Sequence, residues 1–208
     1  MQRIDLSEDS YILTGSIPDN VAPSLPNLMS QCPPAPDTVI MMGKPVLTPR
    51  FVAHYLKPYY YTGRTHPAKD LPDNLKPLLD WCNTVVLHDW LQQEGDEKNN
   101  IETPKFNQGL VNYYMNGIHY IGKHSDDERQ LIKNSPIFSA SFGQERTFRI
   151  RNKKDGSIVE DITMRDKSFI VMCGKLQNEF THEVPKVVGV KGANMSPRVN
   201  VTFRIFKK

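Results

Sequence analysis

The chain has 208 residues, 38% hydrophobic and 24% charged, which excludes a disordered polymer and allows one well-buried core. Lys and Arg number 26 against 23 Asp and Glu, a formal charge of +3 that leaves a nucleic-acid partner open without arguing for it. No apolar run nears the roughly 18 residues of a spanning helix, the first residues lack a leader pattern, and the three cysteines form neither a CxxC nor an even framework. No membrane partner is therefore expected, and a reducing intracellular compartment, nuclear or cytoplasmic, is.

One domain over 1–208 is expected. Residues 1–38 carry SIPDN, PSLPN and CPPAPD, and this proline content predicts an irregular arm without a helix. Within 39–105, VIMMGKPVLTPRF predicts a hairpin turning at Met42-Gly43, and 54–61 (HYLKPYYY) reads as extended and aromatic. Leu75, Leu78, Leu79 and Cys82 at helical spacing predict a helix over 72–86 with Asp70 as its N-cap, and 89–105 starts helically and ends as a polar loop. From Phe106 the period changes to two. Short strands are predicted at 106–115, 118–124, 137–142, 147–151, 158–164, 169–172, 180–184 and 198–206, separated by turns such as Asn116-Gly117 and Asp155-Gly156. The expected organisation is an α/β N-terminal half packed on a C-terminal antiparallel sandwich, jelly roll or barrel.

Two segments carry chemistry. In His124-Ser125-Asp126, extended backbone turns the imidazole and the carboxylate to one face, and His182 on a later strand supplies a third ligand. Two His and one carboxylate on one face of an ion leave its other positions open, as in non-haem Fe(II) oxygenases; zinc accepts the same donors. Alone the pattern is weak in a chain with six histidines. In RVNVTFR, however, Arg198, Asn200, Thr202 and Arg204 share one strand face and Val201 and Phe203 the other. Four polar residues aimed inward need partners, and a buried dicarboxylate would satisfy them.

Asn112-Tyr113-Tyr114, His124-Ser125-Asp126-Asp127-Glu128, Ser135-Pro136-Ile137, Ser141-Phe142-Gly143, His182 and RVNVTFR together resemble the AlkB family of 2-oxoglutarate/Fe(II) dioxygenases, in its nucleic-acid dealkylating branch. The resemblance implies an α+β, mainly β fold: a double-stranded β-helix (jelly-roll) core over 106–208, with a lid, hairpin and supporting helix over 39–105. It implies Fe(II) held by His124, Asp126 and His182, and 2-oxoglutarate held by Asn112, Tyr114, Arg198, Asn200, Thr202 and Arg204. Arg204 would take the distal carboxylate, and Arg198 would lie near Asp126. Asp127 and Glu128 would face the base pocket. Met42, Gly43 and Lys44 match the hairpin by which duplex-active members probe the base stack, with Met42 where those members carry an aromatic wedge. Tyr59, Tyr60 and Tyr61 match the nucleotide-recognition lid; Lys44, Arg50, Lys57 and Arg64 among these aromatics offer a phosphate footprint. The loop 186–196 looks longer than in relatives.

The implied activity is oxidative demethylation of N-alkylated bases such as 1-methyladenine and 3-methylcytosine in DNA or RNA. It consumes O2 and 2-oxoglutarate, with ascorbate added in vitro, and releases succinate, CO2 and formaldehyde. A monomer is expected. Two alternatives stand beside it: a hydroxylase of a protein or small molecule on the same scaffold, and a nucleic-acid-binding jelly roll without turnover.

Overall fold

The structure, a computed structural model, describes residues 1–41, 43–61, 64–94 and 105–207. Its strands in chain order are β1 (Gln2–Asp5), β2 (Ser10–Ser16), β3 (Thr38–Met41), β4 (Lys44–Leu47), β5 (Phe51–Tyr55), β6 (Tyr59–Tyr61), β7 (Arg64–His66) and β8 (Gln108–Tyr114), followed by β9 (Ile121–His124), β10 (Ile137–Gly143), β11 (Arg146–Asn152), β12 (Ile158–Met164), β13 (Ser168–Gly174), β14 (Phe180–Val184) and β15 (Arg198–Arg204). A seven-stranded antiparallel sheet runs β1-β2-β13-β10-β15-β8-β5, and a four-stranded one runs β12-β11-β14-β9. The two sheets enclose the site as a jelly roll. The hairpins β3–β4 and β6–β7 are separate two-stranded sheets.

The period-two reading of the second half holds, with ends shifted by a residue or a few. The first half is different from the expectation. Residues 1–38 are not an irregular arm: β1 and β2 extend the large sheet, with Ser10–Ser16 paired to Gly174–Ser168 of β13. A short helix, Leu25–Met29, also survives the prolines, because Pro26 occupies its first turn, where no amide hydrogen is needed, and Ser24 caps it. Since β5 joins the same sheet, the N-terminal half is not a separate layer laid on the sandwich.

The predicted helix over 72–86 begins as a 3-10 turn (Asp73–Leu75) and continues as an α-helix (Lys76–Trp81), a π-helical turn (Cys82–Val86) and a further helix (Leu87–Glu94). Pro72, not Asp70, stands at its start, with no side-chain cap. The polar loop expected up to Lys105 lies largely outside the described residues. Leu75, Leu78, Cys82, Val86 and Leu87 pack on the outer face of the large sheet against Val111, Phe138, Val199, Val201 and Phe203. Its other face meets the small sheet through Ile12, Ile137, Ile170, Met172, Phe148, Ile150, Phe180 and Val184. With both faces covered, every residue of β15 is buried, and strand alternation sends Val199, Val201 and Phe203 to the helices and Arg198, Asn200, Thr202 and Arg204 between the sheets.

Candidate metal and cofactor site

The predicted ligands converge. His124 ends β9, and His182 is its direct partner on β14, so antiparallel pairing sets the two imidazoles side by side, with ring centroids 4.2 Å apart. Asp126 follows two residues after His124, its Oδ1 4.0 Å from His124 Nε2. Its amide donates to Gln177 Oε1 at 2.8 Å, which holds the carboxylate inside. One ligand atom from each of the three residues falls within 4.8 Å of the others, a set able to hold one ion.

The surroundings leave these groups in ligand form. His124 Nδ1 lies 2.9 Å from the Gly122 carbonyl, which as an acceptor fixes the proton there and leaves the Nε2 lone pair free. Burial, and then the neighbouring His124, push His182 down to about 3, so it stays neutral. Its ring stacks on Phe148 at 5.1 Å. Burial alone would raise Asp126, but Arg204 and the two imidazoles outweigh it and hold the carboxyl well below the usual range. Arg204 Nη2 donates to Asp126 Oδ1 at 2.8 Å.

Asn112, Tyr114, Arg198, Asn200, Thr202 and Arg204 all line one narrow cavity with the three ligands, between the sheets. The arginine beside Asp126 is not the expected one. Arg204, not Arg198, is the residue on Asp126. Arg198 is 1% exposed; its Nε donates to Ser141 Oγ at 2.8 Å, and its guanidinium lies 5.1 Å from the Tyr114 ring centroid. No carboxylate pairs with it among the described residues, and its Nη1 is buried without a partner. A guanidinium left so is costly unless an anion completes it, and the acidic cofactor predicted from RVNVTFR is such an anion. Asn200 is held by Ser139 and by the Ala140 carbonyl, and accepts from Thr202.

A second narrow cavity shares His124, Asp126 and Arg204 with the first. Tyr59 lines it, buried, and its hydroxyl donates to Glu128. Burial and Asp126 raise the Glu128 carboxyl. The other predicted substrate residues are more scattered. Tyr60 is 50% exposed, and exposed Asp127 and half-buried Glu128 both line an outer groove with Lys133 and Lys207 rather than this cavity. Tyr61 is described only by its backbone pairing with Arg64. Met42 lies outside the described residues; Gly43, with φ +75°, and exposed Lys44 continue the hairpin. Arg50 is no solvated phosphate contact, for it lines the second cavity and its Nε donates to Asn112 Oδ1 at 2.6 Å. The loop 186–196 contains a short helix, Gly189–Ala193, at Gly117. Sequence reasoning missed Gln177 and the group Asp37, His54 and His66, single residues with no motif around them.

A sequence profile described as the 2OG-Fe(II) oxygenase superfamily matches residues 28–204. The chain belongs to that superfamily. Fe(II) and 2-oxoglutarate are thus the cofactors the superfamily implies, and the geometry of His124, Asp126 and His182 is consistent with a site for the iron. The curated relatives bear out the AlkB resemblance. "DNA oxidative demethylase ALKBH2" is 33% identical over 121 residues in Homo sapiens (55% of this chain, 45% of that protein) and 33% over 153 residues in Bos taurus (70% and 50%). "Alpha-ketoglutarate-dependent dioxygenase alkB homolog 3" of Mus musculus is 32% identical over 165 residues (75% and 51%). The chain spans about half the length of these relatives. A solved structure, "The structure of OsALKBH1", superposes with a TM-score of 0.62 at 14% identity, covering 98% of this chain and all of that one, and supports the fold. No helix among the described residues is long and apolar enough to cross a membrane.

Proposed function

We propose that this superfamily member oxidatively dealkylates N-methylated nucleobases in DNA or RNA. The observation that carries the reading is the meeting of two cavities at His124 and Asp126, one floored by buried arginines, the other walled by Tyr59 under two hairpins. The name of its ALKBH2 relatives, DNA oxidative demethylase, favours nucleic acid as the substrate class over a protein or small molecule.

In the first cavity His124, Asp126 and His182 would hold iron, and Arg198 would take the distal carboxylate of 2-oxoglutarate, since Arg204 is already engaged by Asp126. When bound, iron and 2-oxoglutarate with O2 supply the oxidation, in which the keto acid becomes succinate and CO2 and one N-methyl C–H becomes C–OH. The hydroxymethyl group then leaves its nitrogen as formaldehyde, restoring the base. The protein's part is placement and exclusion. Arg204 keeps Asp126 ionised, the Gly122 carbonyl keeps His124 in one tautomer, and Phe148, Met172 and Val184 wall off water. A methylated base flips out of its stack or comes from a single strand. Methylation at N1 of adenine or N3 of cytosine leaves the base cationic, and the Glu128 carboxylate behind Tyr59 favours such a charge.

The test is incubation with Fe(II), ascorbate, 2-oxoglutarate and oligonucleotides carrying 1-methyladenine or 3-methylcytosine, following loss of the methyl mass. Demethylation supports the reading. Succinate formation without demethylation moves the substrate to another class, and oligonucleotide binding with neither product indicates a binding module.

A further inference from the structure

A second 2-His-1-carboxylate group stands in the wall of the cavity that holds Tyr59. Asp37 Oδ2 lies 2.8 Å from His66 Nδ1 and 3.6 Å from His54 Nε2, and one ligand atom of each falls within 4.8 Å of the others. Donors bonded to one tetrahedral ion at about 2.0–2.1 Å stand roughly 3.3 Å apart, and the two separations fall on either side of that value, so a small shift of the side chains would close the set on an ion. A buried Asp–His pair would account for Asp37 and His66 alone. It leaves His54 unexplained: its side chain is 9% exposed, and among the described residues neither ring nitrogen has a partner within hydrogen-bond distance, the nearest being Asp37 Oδ2 at 3.6 Å. The other oxygen of Asp37 accepts the Thr38 amide at 2.7 Å, so the hairpin backbone aims Oδ2 at the imidazoles.

The three donors come from three pieces of backbone. Asp37 precedes β3, His66 ends β7, and His54 sits on β5, the edge of the seven-stranded sheet. Each hairpin is a two-stranded sheet of its own, an arrangement of marginal stability in water unless something fastens it. We propose that Asp37, His54 and His66 form a second divalent-cation site, of the zinc class, that fastens both hairpins to the large sheet beside the substrate cavity. Two imidazoles and one carboxylate are the donors of a borderline ion, and the incomplete shell leaves a position for water. The site does not depend on the proposed reaction.

The experiment is a Co(II) titration of the full chain, followed by visible absorption and by amide exchange of the hairpins. Asp126→Ala/His182→Ala removes the first site and should still bind cobalt, with the four-coordinate band and slowed exchange in both hairpins. His54→Gln/His66→Gln, with the first triad intact, should lose that band and that protection and keep the other cobalt. Should this variant fail to fold, Asp37→Asn in the Asp126→Ala/His182→Ala background should weaken cobalt binding at least about tenfold. The assignment is overturned if Asp126→Ala/His182→Ala binds no cobalt, or if the Asp37 and histidine substitutions leave its binding unchanged.

Discussion

Replacing Arg198 by Met should move stability and cofactor affinity in opposite directions. The guanidinium is 1% exposed, has no carboxylate partner among the described residues, and burial lowers its pKa. Desolvating an unpaired ion costs several kcal/mol, against about 1.5–3 kcal/mol returned by a charged hydrogen bond such as that to Ser141. Methionine fills similar volume without the charge, so the ligand-free variant should be as stable as the parent or up to about 2 kcal/mol more so, a Tm rise of about 0–8 °C. With the distal carboxylate of 2-oxoglutarate in place the balance reverses. A guanidinium and a carboxylate about 4 Å apart attract by about 4 kcal/mol at an effective dielectric near 20. Truncating one partner of such a pair costs about 2–5 kcal/mol, or about 30- to 4000-fold in Kd. Calorimetric titration of the metal-loaded protein with 2-oxoglutarate, beside thermal melts without it, measures both. A Kd within about threefold of the parent would refute the assignment of Arg198 to the distal carboxylate.

Asp126→Ala should abolish turnover and iron binding together, because it removes a ligand and leaves Arg204 with no acid to hold; undiminished activity would show that the triad is misassigned. Stability should fall in mild acid. His182 and His54 are held down to about 3 and about 4 in the folded chain, so between there and 6.5 the unfolded chain takes up protons that the folded one refuses. The loss should be about 2 kcal/mol per imidazole from pH 7 to pH 5, read as urea midpoints of metal-free protein; a flat profile contradicts their neutral burial. Gly174→Ala should cost at least about 2 kcal/mol, since φ is +67° and a Cβ would meet the Asp9 carbonyl oxygen at 2.0 Å. Gly156→Ala, with φ +74° and nothing within 4 Å, should cost only about 1–2 kcal/mol, and equal losses at the two sites would discount the Asp9 contact.

The sequence carried the second half of the fold more clearly than the first. Strands β11 and β14 alternate, β13 is a continuous apolar run, and the alternation of RVNVTFR identifies its inward face correctly. It does not say which end of β15 meets the metal ligands; that follows from where Asp126 is held by Gln177, a long-range contact. Strands β1 and β2 were hidden for another reason. They precede the prolines, and β2 turns from buried to half-exposed along its length, so neither a clean alternation nor an apolar run marks it. The helix Gly189–Ala193 is short and glycine-bounded and reads as loop from composition alone. At the site, His124 and Asp126 were legible because they are neighbours, whereas Asp37, His54 and His66 meet only through the tertiary fold.

His124 belongs to β9, a four-residue border strand with no further strand beyond it among the described residues. One of the proposed iron ligands is thereby placed on backbone that frays readily, tied inward to His182 on β14. A bound ion would then serve as a rivet as well as a reactant. Stripping it with a chelator should loosen the Ile121–His124 border before the rest of the barrel and expose a strand able to recruit another chain, so demetallated stocks should clump sooner than loaded ones.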